Sequence, residues 1–470
     1  MMELQLAEEV MSQPLVVRYK WDEINWRKLE RSVFKLQKRI YQASKSGDGK
    51  RVHRLQKLLL KSKSAKLLAV RRVTQLNKGK KTAGIDGVKS LAPTQRIRLA
   101  ETLKLDEKSK PVRRIWIPKP GKTEKRPLGI PIMADRAKQA LAKLVLEPEW
   151  EAKFEPNSYG FRPARSCQDA AVAIFRAINL KNAYVLDADI KGCFDNIDHS
   201  ALLEKLNTFP KLRRVIRGWL KAGILEGEIF QKSRAGTPQG GVISPLLANI
   251  VLHGLECETK KALKTDLFNY MKETRGKASH MQSQGNIAII RYADDFVVIH
   301  ESLELIEKAK EFVQQWLKQI GLKLSETKTR ITHTLKPIDG CAVGFKFLGF
   351  WIRQYYVKCC KRGYITLIKP SPDGQKRHRE IIRERINKLK AATQETVIKT
   401  LNPVIRGWAN YYKSQVARKA FESADNYMFG RLWKWARWRH PHKGLKWIKR
   451  KYFRQHKNAK WRFLTNHVHI

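Results

Sequence analysis

The chain of 470 residues carries 95 Lys and Arg against 43 Asp and Glu, a formal net charge of +52. That surplus exceeds what solubility requires and points to a polyanionic partner, nucleic acid before all others. Hydrophobic residues make up 42%, enough for two to four compact units with their own cores, which excludes a chain disordered throughout.

Residues 27 to 81 hold 19 Lys and Arg but only Glu30 and Asp48 as acids, while Leu29, Val33, Leu36 and Ile40 recur at helical spacing. The pattern predicts basic helices broken at Ser46-Gly-Asp-Gly49. The imbalance goes beyond what a solvated helix face needs and favours contact with a nucleic-acid backbone, with Arg31, Lys35 and Lys38 as candidates. Further on, Ile115-Trp-Ile-Pro-Lys-Pro-Gly121 followed by Lys125-Arg126-Pro127 reads as a hairpin with basic residues near its tip, suited to closing over a triphosphate. Tyr184-Val-Leu-Asp187-Ala-Asp189-Ile190 is an apolar strand bearing carboxylates. Asp187 and Asp189 share a face, and spacing alone does not choose between them.

Gly236-Thr-Pro-Gln-Gly-Gly241 is a turn leading into an apolar helix from Pro245 to Leu255, its glycines letting the backbone come close to a ligand. The runs Ile287 to Ile290 and Phe296 to Ile299 are rich in β-branched residues and flank Tyr292-Ala-Asp-Asp295, a hairpin presenting two adjacent acids. Adjacent carboxylates repel each other and lose hydration, and a hard divalent cation such as Mg²⁺ relieves both costs. A third acid from the strand at 184 to 190 supplies what two-metal phosphoryl transfer needs. Glu304 to Ile320 has Leu305, Ala309, Phe312 and Trp316 at core spacing of a helix.

Gly363 to Gly374 reads as a linker from its prolines and glycines. Helices Arg377 to Leu389 and Val397 to Tyr412 are expected after it, the second interrupted at Asn402-Pro403. Residues 431 to 470 have 13 Lys and Arg and no acid, with Trp433, Trp435, Trp438, Trp447 and Trp461 interleaved, a pattern that suits base stacking beside phosphate neutralisation. Arg431, Lys434, Arg437 and Arg439 are its candidate contacts. No apolar run approaches the ~20 residues that span a bilayer, and Met1 to Val10 carries acids rather than a basic signal head, so a cytoplasmic protein without a membrane partner is expected. Six cysteines, at 167, 193, 257, 341, 359 and 360, form no Cys-x-x-Cys pair and indicate neither a disulfide framework nor a zinc site.

The box at Tyr292 to Asp295, the box Asp189-Ile-Lys-Gly-Cys-Phe-Asp195 and Gly236-Thr-Pro-Gln-Gly-Gly-Val-Ile-Ser-Pro-Leu-Leu-Ala-Asn249 resemble reverse transcriptases encoded by bacterial and organellar group II introns. Arg126-Pro-Leu-Gly-Ile-Pro131, Ser158-Tyr-Gly-Phe-Arg-Pro163, Gly321 to Thr329 and Phe347-Leu-Gly-Phe350 are similar to the remaining polymerase blocks, in order, and Leu401 to Tyr412 to the maturase segment. The resemblance covers roughly residues 20 to 460 and implies an α+β right-hand polymerase. Its parts would be a basic helical extension at 1–81, fingers at 82–185, a palm at 186–362, an α-helical thumb or maturase domain at 363–430 and a basic DNA-binding segment at 431–470.

The implied activity is RNA-directed DNA synthesis joined to intron splicing and mobility into DNA. Implied partners are the intron RNA, target DNA and deoxynucleotides, the protein acting as a monomer. Asp189, Ile190, Asp294 and Asp295 would hold two Mg²⁺ ions, with Lys328 protonating the departing pyrophosphate. Lys119 and Arg126 would meet the nucleotide's phosphates, Gln239 the nascent base pair, and Phe194, five residues after Asp189, the 2′ position of the sugar, which favours Asp189 over Asp187 as ligand. Arg406, Trp408 and Tyr411 would belong to the nucleic-acid surface of the thumb. Many such proteins continue into a zinc-containing endonuclease domain; no histidine and cysteine cluster of that kind precedes Ile470, so the opposite DNA strand is expected to be left uncut by this chain and priming to come from another 3′-end, such as a nascent strand at a replication fork. The competing readings are a splicing-only RNA-binding maturase and a retron- or defence-type reverse transcriptase.

Overall fold

The computed structural model describes residues 20–118, 124–227, 229–231, 235–237, 240–276, 286–338, 340–455 and 461–465. It opens with three helices, α1 (Trp26–Lys45), α2 (Gly49–Lys61) and α3 (Lys63–Arg71), each started by a side chain that accepts a backbone N–H: Asn25, Asp48 and Ser62. The break between α1 and α2 falls at Ser46 to Asp48, where Gly47 takes a φ of 75°. Val33 and Ile40 of α1, Val52, Leu55 and Leu59 of α2 and Leu67 and Val70 of α3 are buried. Arg31, Lys35 and Lys38 stand on the opposite, exposed side of α1.

After α4 (Pro93–Thr102), β1 (Val112–Pro118) and β2 (Lys125–Ile130) form the antiparallel hairpin that the sequence predicts, and α5 (Met133–Glu151) follows. The opening helices share a core with α5 through Met133, Ala137, Leu141 and Val145. Gln56 seals this junction by donating to the Glu149 carboxylate at 2.7 Å, and Gln37 does so by donating to the carbonyl of Leu144 at 2.9 Å. The basic surface is therefore carried on a body fixed to the rest of the chain rather than on a free arm.

The next elements are α6 (Cys167–Ile178), β3 (Tyr184–Asp189), the single turn α7 (Cys193–Asn196), α8 (His199–Leu206), α9 (Pro210–Lys221), β4 (Ile224–Glu226) and β5 (Ile229–Gln231). Three helices, α10 (Ser244–Leu252), α11 (Leu255–Ala262) and α12 (Lys264–Arg275), lead to β6 (Ala288–Tyr292) and β7 (Asp295–His300), then α13 (Leu303–Gln319) and β8 (Arg330–His333). The apolar helix expected from Pro245 to Leu255 is thus two helices, parted where Gly254 adopts a φ of 101°. One four-stranded sheet runs β2-β1-β4-β5, with a short parallel contact between β1 and β4; a second, antiparallel throughout, runs β6-β7-β3-β8.

The second sheet is covered on both faces, which explains its continuous apolar strands. Leu186, Ala188, Phe296 and Val298 point into a core with α8 to α11 and α13, while Val185, Ile290, Val297 and Ile299 point into another with α6 and a third sheet. That sheet consists of β9 (Phe345–Phe347), β10 (Phe350–Tyr356) and β11 (Tyr364–Pro370), in the order β11-β10-β9. The chain is therefore a mixed α and β protein built on antiparallel sheets. No helix among the described residues is long and apolar enough to cross a membrane.

Gly363 to Gly374 is not a linker. Tyr364 to Pro370 pair with β10 along its whole length, and Pro372 occupies the first turn of α14 (Pro372–Lys388), where its missing N–H costs nothing. The next helix, α15 (Gln394–Tyr412), runs through Pro403 without interruption. A boundary at 430 falls inside α16 (Arg418–Arg439), and one at 185 falls inside β3. Past α17 (Leu445–Tyr452) and the hairpin β12 (Phe453–Gln455) and β13 (Trp461–Phe463), the C-terminal core combines Ile382, Ile386, Val397 and Leu401 with Trp435, Tyr452, Phe453 and Phe463.

The far end of α16 also closes the C-terminus of α14. The Trp435 indole donates to the Leu389 carbonyl at 2.8 Å, and Arg439 donates to the carbonyls of Lys390 and Ala392 at 2.9 and 2.8 Å. Residues on both sides of 430 thus form one folding unit. Trp435→Ala is expected to cost about 3–5 kcal/mol, and a chain ending at 430 to expose residues 372 to 430 to protease. A protease-resistant 372–430 fragment from that truncated chain would contradict this packing.

Candidate active site

The hairpin of β6 and β7 pairs from Ala288 with Ile299 to Tyr292 with Asp295, leaving Ala293 and Asp294 as a two-residue turn. Such turns need positive φ, and Ala293 sits at 59°. A non-glycine residue in that region costs on the order of 1–2 kcal/mol, so neighbouring structure has to hold it.

Arg291 does this. Its guanidinium is fully buried and donates to the Ala293 carbonyl at 3.0 Å, to Asn249 Oδ1 at 2.9 Å and to Ser158 Oγ at 2.7 Å. Burial lowers its pKa to about 10, partly offset by Glu155, which leaves it charged at neutral pH. The backbone around it is also fixed: Arg291 N–H donates to the Asn157 carbonyl and its own carbonyl accepts from Tyr159 N–H, both at 2.9 Å. Asn249 in turn donates to the Gly160 carbonyl at 2.7 Å, and Gly160 lies so close that a Cβ there would stand 2.3 Å from Ala293 N. Three separated sequence blocks thereby meet behind one turn.

β3 lies beside β7 with Asp189 opposite Asp295. The crowding shows in the carboxyl groups. Burial, the adjacent Asp294 and a hydrogen bond with Asp189 push Asp295 up to about 7; Asp294 is raised by burial, with Asp189 adding to the effect. Lys328 Nζ stands 2.5 Å from Asp189 Oδ2, and this bond raises the lysine's pKa. Asp187, one step along the same face, is opposite Arg330 on β8 and 3.3 Å from its Nη2; burial nevertheless pushes it to about 6. Arg330 therefore occupies Asp187, while Asp189 faces the hairpin acids.

A cleft of about 610 Å³ opens beside these groups, and Arg126, Asp189, Ile190, Phe194, Asp294 and Lys328 all line it. Phe194 meets Phe161 edge-on at 6.2 Å, and its carbonyl accepts from Thr237 N–H at 2.6 Å. Gly236, at φ 84°, passes within 2.5 Å of Asp195 O at the position a Cβ would take, which accounts for a glycine at that point. Lys119 and Gln239 lie outside the described residues.

The donor chemistry of Asp189, Asp294, Asp295 and the Ile190 carbonyl suits a hard cation, which prefers carboxylate and carbonyl oxygens. Among the described residues no three His, Cys, Asp or Glu side chains converge closely enough to hold an ion. In this arrangement Asp189 is closed on Lys328, and Asp295 is hydrogen-bonded to Asp189.

The expected nucleic-acid contacts divide into two groups. Arg31, Lys35, Lys38, Arg406, Lys434 and Arg437 are exposed. Trp408 is stacked on His378 at 4.3 Å, Tyr411 stacks on Phe350 at 5.3 Å and donates to the Leu348 carbonyl at 2.7 Å, and Arg431 donates to Asn387 at 2.8 Å. With Arg439 at the end of α14, these four side chains are half-buried and engaged in contacts within the protein. Sequence reasoning missed Arg291, Ser158 and Asn249 as supports of the hairpin. The available signal was a lone arginine inside the apolar strand Ile289-Ile290-Arg291-Tyr292.

Three family models match the chain: the N-terminal domain of reverse transcriptase over residues 21–103, reverse transcriptase (RNA-dependent DNA polymerase) over 117–352, and the group II intron maturase-specific domain over 375–453. Among curated proteins it is 32% identical over 406 residues to the group II intron-encoded protein LtrA of Lactococcus lactis subsp. cremoris, covering 72% of this chain and 66% of that protein. It is 29% identical over 342 residues to protein YkfC of Escherichia coli K12, covering 67% and 87%, and 31% identical over 245 residues to maturase-like protein 1 of Euglena gracilis, covering 49% and 51%. The chain thus spans about two thirds of the length of LtrA. With a polymerase match across half its length and a maturase-specific match beyond, the chain belongs to the reverse transcriptase family, in the branch found in group II introns.

Proposed function

We propose that the chain is an RNA-directed DNA polymerase encoded by a group II intron, which also binds the intron RNA to assist its splicing and its mobility into DNA. One observation carries the polymerase reading: Asp189 faces Asp295 across β3 and β7 with Asp294 at the adjoining turn, beside a cleft lined by Arg126, Phe194 and Lys328. In this reading the sheet of β1 and β2 belongs to the fingers, the sheet of β3, β6, β7 and β8 to the palm, and the helices from α14 onward to the thumb of a right-hand polymerase.

Asp189, Asp294, Asp295 and the Ile190 carbonyl are the groups that would hold two Mg²⁺ ions, which lower the pKa of an attacking hydroxyl and stabilise charge on phosphate oxygens when bound. The chain's own residues do the positioning. Arg126 binds nucleotide phosphates from the edge of the cleft, and Phe194 limits the room beside the sugar. Lys328, released from Asp189, is placed to give a proton to the departing pyrophosphate. The basic face of α1 and the exposed cations Arg406, Lys434 and Arg437 supply sequence-independent contacts to RNA and DNA backbones. The maturase-specific match favours this reading over a retron- or defence-type enzyme, and the retained carboxylates favour it over a splicing-only protein.

Asp294→Asn or Asp295→Asn keeps the side-chain size and removes one charge. Primer extension on an RNA template is expected to fall by several orders of magnitude while affinity for intron RNA stays within about threefold; near-normal synthesis by the double variant would remove the assignment.

A second outcome follows from the raised carboxyl groups. The folded-state pKa of Asp295, about 7, lies above that of an unfolded aspartate. Its protonated form is therefore favoured by folding, and metal-free stability is lost as pH rises from the unfolded value through 7. A cation that neutralises the cluster restores more at high pH than at low. Added Mg²⁺ should raise Tm more at pH 8 than at pH 5.5, whereas an increment independent of pH would show that the ion binds elsewhere.

A further inference from the structure

The exposed side of α1 is ordered. Arg27, Arg31, Phe34, Lys38, Tyr41 and Lys45 follow one another at steps of four, three, four, three and four residues, which sets all six on one seam along the helix. Every one of them is exposed, while Val33, Ile40 and Ala43 close the opposite side of α1 into the core. Glu30, the only acid in the helix, is engaged by Arg71 of α3 at 3.0 Å.

Cations alone would serve a phosphate backbone. α2 has that form: Lys50, Arg54, Lys57 and Lys61 repeat the same spacing on its exposed side with no aromatic among them. On α1, Phe34 and Tyr41 take two of the places and are 65% and 39% exposed. Apolar residues scattered singly on a surface are ordinary. These two rings instead stand two turns apart, about 10 Å along the axis, each between cations of the same row. Phosphate neutralisation gains nothing from a ring, whereas stacking on bases requires one.

The composition of the seam narrows its occupant. Cations at Arg27, Arg31, Lys38 and Lys45 deny a partner helix the apolar row that a coiled-coil seam needs. An amphipathic helix enters a lipid surface with its apolar face, and that face of α1 is already buried. A second copy of the chain would bring its own charge of +52. Duplex nucleic acid offers phosphates but keeps its base faces stacked, so rings reach bases only where these are unpaired. The described lining of the catalytic cleft includes none of the six residues, so a strand held on them lies outside it. We propose that the seam binds an unpaired stretch of the intron RNA, with phosphates on Arg27, Arg31, Lys38 and Lys45 and two bases stacked on Phe34 and Tyr41. This deepens the RNA-binding reading above and rests on it.

The probes are a labelled oligouridylate of about ten nucleotides and its duplex with oligoadenylate, each titrated into the full chain. The double variant Phe34→Leu/Tyr41→Leu keeps apolar surface and removes both π faces on an exposed side of the helix, so its Tm should match that of the wild type. Its affinity for the single strand should fall at least about tenfold and that for the duplex by less than about twofold. The salt dependence of single-strand binding should keep its slope, because a lost stack releases no counterion. Lys38→Gln, by contrast, should weaken both probes and reduce the slope of log affinity against log salt by about 0.7. Ultraviolet cross-linking read by mass spectrometry should place uridine on Phe34 and Tyr41, and a saturating primer–template with a single-stranded template overhang should leave those cross-links in place. Equal losses on single strand and duplex, or cross-links displaced by the primer–template, would overturn the proposal. So would a dimer, or binding to phosphatidylglycerol vesicles, that the double variant abolishes. Unchanged single-strand affinity in the double variant with intact duplex binding removes the proposal alone, whereas failure of the wild-type protein to bind either probe removes the RNA-binding reading with it.

Discussion

The buried guanidinium of Arg291 is the interaction on which the site geometry depends. Taking an arginine wholly out of water is costly unless its charge and its N–H groups are met. Here Nη1 and Nη2 are met by Ser158, Asn249 and the Ala293 carbonyl, with Glu155 contributing to the electrostatic balance, while Nε is buried without a partner. Each partner comes from a different stretch of chain, so the cost of burying the charge is repaid only when the helix from Ser244 to Leu252, the segment around Ser158 and the β6–β7 hairpin are all in place. The same contact holds Ala293 in a backbone conformation it would not choose alone, and this aims Asp294 and Asp295.

Around that clamp, charge is arranged in two opposing ways. The protein as a whole is strongly cationic, and its exposed Lys and Arg suit long-range attraction of nucleic acid. The cleft concentrates carboxylates whose mutual repulsion is only partly relieved by Lys328 and Arg330. Burial between two cores gives the acids little freedom to move apart, since the strands bearing them are packed on both faces. A rigid sheet thus holds the three acids close together despite their repulsion, a form of preorganisation.

Much of this was legible in the residues. The apolar, β-branched runs at β3, β6 and β7 predict strands, and the adjacent acids Asp294 and Asp295 predict the turn of a hairpin. Helix breaks follow glycine at Gly47. What was not legible had a common cause: residue types that serve two physical purposes. Trp408, Tyr411, Arg431 and Arg439 have the composition of a nucleic-acid surface, yet aromatic rings also fill cores and arginines also cap helix ends. The prolines at 370 and 372 suggested a linker because sequence alone does not show that one ends a strand and the other begins a helix. Arg291 was passed over because a charge within an apolar strand looks like a strand end until its partners, distant in sequence, are seen.

The central claim is that Arg291 sets the metal-binding geometry through the Ala293 turn, without itself touching nucleic acid. The most direct measurement is the Mg²⁺ dependence of primer extension by Arg291→Lys, which keeps the charge but lacks the planar fork of donors. Circular dichroism and intron-RNA affinity confirm that the variant is folded. The Mg²⁺ concentration for half-maximal rate should rise by about tenfold or more, the usual range when a group that orients metal ligands is lost, while RNA affinity is retained. A folded Arg291→Lys protein with the wild-type Mg²⁺ dependence and rate would contradict the account.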